Sequence, residues 1–170
     1  MAILLGDCIL LPVTLLLLAA WRDIATRTIP DSVSLALASF GLGLRASEGT
    51  TALAASAAIA ALLFLGLVLL HARGALGGGD VKLASAIALG LPPLATFDFL
   101  LATALSGGVL ALLYLVLRHL PAPVPARPTT SLPRRVLAAE RWRIHRRGPL
   151  PYAVAIAAGG ILTLIAPLGG

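Results

Sequence analysis

The chain has 170 residues, of which 59% are hydrophobic and only 12% are charged, with a mean hydropathy of +0.99. A soluble domain carries about 25% charged residues, so soluble enzymes, disordered chains and coiled coils are all excluded. The net charge of +6 then points to loops on one face of a membrane rather than to nucleic acid. The one cysteine, Cys8, rules out an intramolecular disulfide and a cysteine-only zinc cage, and no metal or other cofactor is expected.

Six apolar segments lie between the charges, in the order Ile3 to Trp21, Val33 to Ala46, Gly49 to Leu70, Val81 to Phe97, Phe99 to Leu117 and Leu150 to Gly170. A spanning helix needs about 20 residues, which the first, third, fifth and sixth supply and the second and fourth do not. Nothing alternates with the period of a barrel strand. The first segment lacks a basic start and reads as a retained helix rather than a signal peptide. The predicted fold is all-α: one polytopic membrane domain over residues 1–170, with about six transmembrane helices.

The loops after the first, third and fifth segments hold 12 of the 13 basic residues, leaving only Arg45 on the other side. The positive-inside rule therefore predicts an inner-membrane, multi-pass protein with both termini outside and these three loops in the cytoplasm. The loop over 118–150 is the long one. Pro121, Pro123, Pro125, Pro128 and Pro133 make its first half extended and non-helical. Its second half, from Arg134 to Arg147, has six arginines around Val136, Leu137, Trp142 and Ile144. Two readings stand open: a solvated topology signal, and a surface for anionic lipid.

Seven acids remain. Asp7, Glu48 and Asp98 fall at the outer boundary or in outer loops. Glu140 sits among arginines. Asp31 follows Pro30 and is expected to N-cap the second helix. Asp23 and Asp80 differ, because each borders an apolar segment at the same cytoplasmic depth. Two carboxylates at one depth can approach, and at close range they share a proton. That pair can hydrolyse a peptide: one carboxylate draws a proton from water and the other, protonated, polarises the carbonyl. Gly77-Gly78-Gly79 before Asp80 would let backbone approach a substrate strand. A glycine turn ending in Asp is also an ordinary helix start, and an Asp beside Trp21 and Arg22 is also an ordinary interface residue. If the pair is real, Asp80 at a helix N-terminus is expected to be the more readily ionised partner.

The sequence Asp23-Ile-Ala-Thr-Arg27-Thr-Ile29-Pro30-Asp31 resembles the D-x-x-x-R-x-I-P-N signature of type IV prepilin peptidases. Gly77-Gly78-Gly79-Asp80-Val81-Lys82-Leu83 resembles their G-x-G-D-V-K-L signature, and Pro151-Tyr152 to Gly159 is similar to their last span. The resemblance implies a GxGD membrane aspartic endopeptidase that removes the leader from pilin or pseudopilin precursors at the cytoplasmic face. It carries Asp23 and Asp80 over as the catalytic pair, and Arg27, Pro30, Gly77, Gly79 and Lys82 as motif positions without an assigned step. Lys82 lies roughly 200° round a helix from Asp80 and is expected to face away from the pair, as a topology signal or a snorkelling side chain. Asp31 departs from the usual Asn. The first cytoplasmic loop is short and lacks paired CxxC motifs, so the chain is similar to the Tad-type branch, without a methyltransferase domain. Two other readings are carried: a signal-peptide-peptidase-like intramembrane protease, and a non-enzymatic membrane transport or assembly subunit. Against the first, the chain has Arg22-Asp23 rather than Tyr-Asp. Against the second, the centres of the third, fifth and sixth segments are uncharged.

Overall fold

A computed structural model of the chain describes residues 2–119, 132–146 and 148–166. The proline run from Pro121 to Pro128, Arg127, Arg147 and the last four residues lie outside the described residues, as do the side chains of Asp7, Cys8 and Arg134. Among the described residues there are seven α-helices and no strands: α1 (Ala2–Thr26), α2 (Asp31–Ser47), α3 (Thr50–Ala72), α4 (Gly78–Leu89), α5 (Pro93–His119), α6 (Leu132–His145) and α7 (Tyr152–Ile165). Three are long and apolar enough to cross a membrane, namely α1 over Ile9–Thr26, α3 and α5. Leu62, Leu65 and Leu69 on α3 and Leu101, Leu105 and Leu112 on α5 are exposed, as expected of sides that face lipid.

Helix ends follow local chemistry. Pro30 is extended (φ −62°, ψ 134°) and delivers the chain into α2. Gly49, at φ 116°, makes the tight reversal into α3, a conformation that side chains disfavour. Gly74, at φ 74°, closes α3: the Gly74 and Ala75 N–H groups donate to the carbonyls of His71 and Leu70 at 2.8 and 3.0 Å.

The fourth and fifth segments differ from expectation. The stretch Val81 to Phe97 is not one helix. Pro92 and Pro93 cannot continue α4, which stops after 12 residues. At about 1.5 Å per residue, α4 is roughly 18 Å long and too short to cross a membrane. Pro93 instead opens α5, where its fixed φ suits the first helical position. Asp98 consequently lies inside α5, in its second turn, and not in a loop.

The core is one cluster. Leu16 and Ala19 of α1, Leu37 of α2, Leu83 and Ile87 of α4, Phe99 of α5 and Ile156 of α7 bury together. The central element is α7, whose Ala153, Ala155, Ala157, Gly159 and Gly160 let neighbouring helices approach closely. At the end of α4 away from Asp80, buried Arg45 donates to Ser56 Oγ at 2.9 Å and pairs with Glu48, and Ser56 Oγ donates to the Leu91 carbonyl at 2.8 Å. This chain of bonds ties α2 and α3 to the turn after α4.

The crossing of α5 and α7 is a test of this packing. A Cβ on Gly159 would lie 2.7 Å from Thr103 N and 2.8 Å from its Cα, both backbone atoms that cannot step aside. Gly159→Ala is expected to lose about 1–3 kcal/mol by overpacking. Gly43→Ala, with open space around its Cβ, should be neutral or stabilising. Thermal unfolding in detergent micelles checks both.

Candidate active site

The last turn of α1, the first turn of α4 and the start of α7 meet at one end of the bundle. Asp23 sits in the last turn of α1 and is buried. Its Oδ2 accepts a hydrogen bond of 3.2 Å from the Ala153 N–H, in the first turn of α7. Asp80 occupies the third position of α4, with Gly77 as N-cap. It is therefore not the capping residue. Its carboxylate instead reaches back to the Gly77 N–H, as an acid at this position does in a capping box.

Burial pushes the Asp80 carboxyl up to about 6, with the charge of Asp23 adding to the rise and the Gly77 hydrogen bond opposing it. The two carboxylates are thus close enough to feel one another. At this helix N-terminus desolvation outweighs the helix dipole for Asp80.

Contacts between the two motifs explain several of their other residues. A Cβ on Gly79 would lie 3.3 Å from Ile29 Cβ and Cδ1, so the first motif packs directly on the second. Lys82 Nζ donates to Asp31 Oδ1 at 2.8 Å, bridging the starts of α4 and α2 at the exposed edge. Lys82 is thus engaged by an ion pair rather than left as a bare topology signal. Asp31 does not N-cap α2: Pro30 holds that position, and the Asp31 side chain turns to Lys82. A Cβ on Gly77 would stand 2.8 Å from Asp80 Oδ2, so this glycine leaves room for the carboxylate to fold over its own backbone.

Arg27 ends α1 in the left-handed region, at φ 57°, with its N–H donating to the Asp23 carbonyl at 2.9 Å. Its guanidinium pairs with Glu140 of α6. That contact corrects two expectations. The second half of the 118–150 loop is a helix docked on α1 and α5, and Glu140 is buried rather than solvated among arginines. Tyr114 Oη also donates to Glu140 Oε1, at 2.6 Å, and Arg143 Nη1 to its Oε2, at 3.1 Å. Sequence reasoning missed Glu140, Tyr114 and Arg143; the one available signal was a lone acid three residues before an arginine in a basic stretch.

A groove of about 750 Å³ opens beside the site between α2, α3 and α4, lined by Leu35, Ala38, Ala60, Phe64 and Ala86, with Asp31 and Lys82 at its rim. Among the described residues, no group of three His, Cys, Asp or Glu side chains could hold a metal ion.

The model of the type IV leader peptidase family, Peptidase_A24, matches residues 9–112. The chain belongs to the type IV leader peptidase family. Membership makes it a peptidase of the aspartic type, and with its long apolar helices a membrane protein. No curated protein and no solved structure matches the chain. The matched residues contain both acid motifs. The similarity of Pro151 to Gly159 to a last span, and the whole of α6, lie beyond them.

Two outcomes follow for this leader peptidase. In Gly77→Ala the new methyl meets only the movable end of Asp80, so unfolding should be close to wild type, while peptidase activity should fall about 100-fold if Asp80 is a reacting group that the methyl displaces. Asp80 binds its proton more tightly in the folded chain than in the unfolded one. Stability should therefore fall as pH rises from the ordinary carboxylate value of 3.8 through about 6. Comparing thermal unfolding of wild type and Asp80→Asn from pH 4 to pH 7 checks this: the variant should show a smaller decline than wild type.

Proposed function

We propose that the chain is a prepilin leader peptidase in which Asp23 and Asp80 activate water between them. The observation that carries this is the convergence of a buried acid, Asp23, and a half-buried one, Asp80, from the two family motifs at one end of the bundle. In this reading Asp80, pushed up to about 6, carries the shared proton in the active form and donates it toward the carbonyl oxygen of the scissile bond. Asp23, whose carboxylate accepts from the Ala153 N–H, takes a proton from the attacking water. Water oxygen bonds to the carbonyl carbon, and the resulting tetrahedral adduct is neutralised at oxygen by the Asp80 proton. Collapse breaks the C–N bond: the Asp23 proton passes to the departing amine, and a hydroxyl of the adduct returns its proton to Asp80 as the new carboxyl group forms.

The substrate in this reading is a pilin or pseudopilin precursor. In this reading the site faces the cytoplasm at the inner membrane, within about six spans and with both termini outside, which the arginine-marked loops, among them the segment bearing α6, support. The apolar groove beside Asp31 and Lys82 suits the hydrophobic segment of such a precursor. On α6, Leu137 and Trp142 are exposed and Arg146 stacks on the Trp142 ring at 4.5 Å, which supports contact with anionic lipid. The absence of paired CxxC motifs favours the short Tad-type branch, with peptidase activity alone.

Co-expression with a precursor whose basic leader precedes an apolar helix tests the assignment. Asp23→Asn and Asp80→Asn should each slow leader removal about 10²- to 10⁴-fold, read by mobility shift and mass of the mature product. Wild-type cleavage by either variant rejects the pair, and cleavage inside the apolar helix would favour an intramembrane protease instead.

A further inference from the structure

Glu140 is tied to the segment that carries Asp23, directly through Arg27 and indirectly through Arg143. Its carboxylate is buried, 6% exposed, and receives Arg27, Tyr114 and Arg143. Arg143 in turn donates from Nη1 to the Ile24 carbonyl at 2.7 Å and from Nη2 to the Ala25 carbonyl at 3.4 Å. Those are the carbonyls directly after Asp23, left without helical partners where α1 ends. Arg27, the other cation on Glu140, is held in a left-handed conformation that a non-glycine residue adopts only when its surroundings impose it. One acid on α6 therefore fixes both the end of α1 and the reversal that carries the chain from Asp23 to Ile29, which packs on Gly79.

We infer that Glu140 is a positioning residue for Asp23: through Arg27 and Arg143 it holds the last turn of α1, so that α6 sets the geometry of the carboxylate pair. This rests on the peptidase reading for its activity readout alone. Glu140 lies outside the family-matched residues, and touches neither carboxylate of the proposed pair. Tyr114 on α5 completes the socket, which explains a buried charge at this position: each carboxylate oxygen has a donor, and two cations share one anion.

The experiment uses the full-length chain in detergent. Glu140→Gln keeps the shape and removes the charge; Tyr114→Phe removes one donor without stranding a buried ion. Steady-state cleavage of a precursor should show kcat reduced about tenfold or more in Glu140→Gln, with KM within about twofold of wild type. Arg27→Lys should lose a similar factor, and the double variant no more than the larger single loss, because the pair acts as one unit. A second readout needs no activity. Brief trypsin treatment, followed by mass spectrometry, should cut after Arg27 several-fold faster in Glu140→Gln, and to a smaller degree in Tyr114→Phe, relative to the cut after exposed Arg73. Unchanged cutting at Arg27 overturns the proposal even if the enzyme's substrate has been misassigned. So does wild-type kcat in Glu140→Gln, or losses that multiply in the double variant.

Discussion

Holding two carboxyl groups together away from water is costly, and the architecture at one end of the bundle can be understood as the means of doing it. An isolated buried carboxylate loses several kcal/mol of hydration, and a second one nearby adds repulsion. Here the cost is distributed. Asp80 keeps a proton to about pH 6 and accepts from the Gly77 backbone. Asp23 accepts from the Ala153 backbone. The cations Arg27 and Arg143 stand beside Asp23, shared with Glu140. Ala153, Glu140 and Arg143 lie more than a hundred positions from Asp23, so much of the compensation exists only in the assembled fold.

Assembly in turn depends on small side chains. Glycine and alanine on α7 bring α5 to backbone distance, and Gly41 on α2 meets Gly90 after α4 so closely that a Cβ on the former would lie 2.7 Å from the latter's Cα. In lipid there is little hydrophobic gain in pressing one apolar helix against another, so close van der Waals contact and buried hydrogen bonds carry the association. The Arg45–Ser56–Leu91 chain of bonds does this at the far end, and the Glu140 cluster does it at the near end. The short α4 is held after its end through the Leu91 carbonyl and at its start by the Lys82–Asp31 pair and the packing of Ile29 on Gly79, on either side of Asp80.

Much of this was legible in residue order. Scarcity of charge indicated a helical membrane protein, and the glycine and acid patterns marked the two segments that pack together through Ile29 and Gly79. What escaped was set by partners distant in sequence. The helical period of Val81 to Phe97 looks continuous until the effect of Pro92-Pro93 on a helix is weighed against hydropathy. Asp31 looks like a cap until Lys82 draws its side chain away. Helix α6 is too polar to register as an apolar segment. Its one buried acid meets Arg27 across 113 positions of chain, for which local pattern holds no signal.

The backbone donor to Asp23 comes from Ala153, so the proposed site is contributed by residues near positions 23, 80 and 153. During synthesis the first two emerge long before the third. Until α7 has threaded between α1 and α5, Asp23 lacks its amide partner and the core around Ile156 is open. A nascent chain that bears both acids but not yet α7 is therefore still without the complete proposed site, so docking of α7 acts as a maturation step for it.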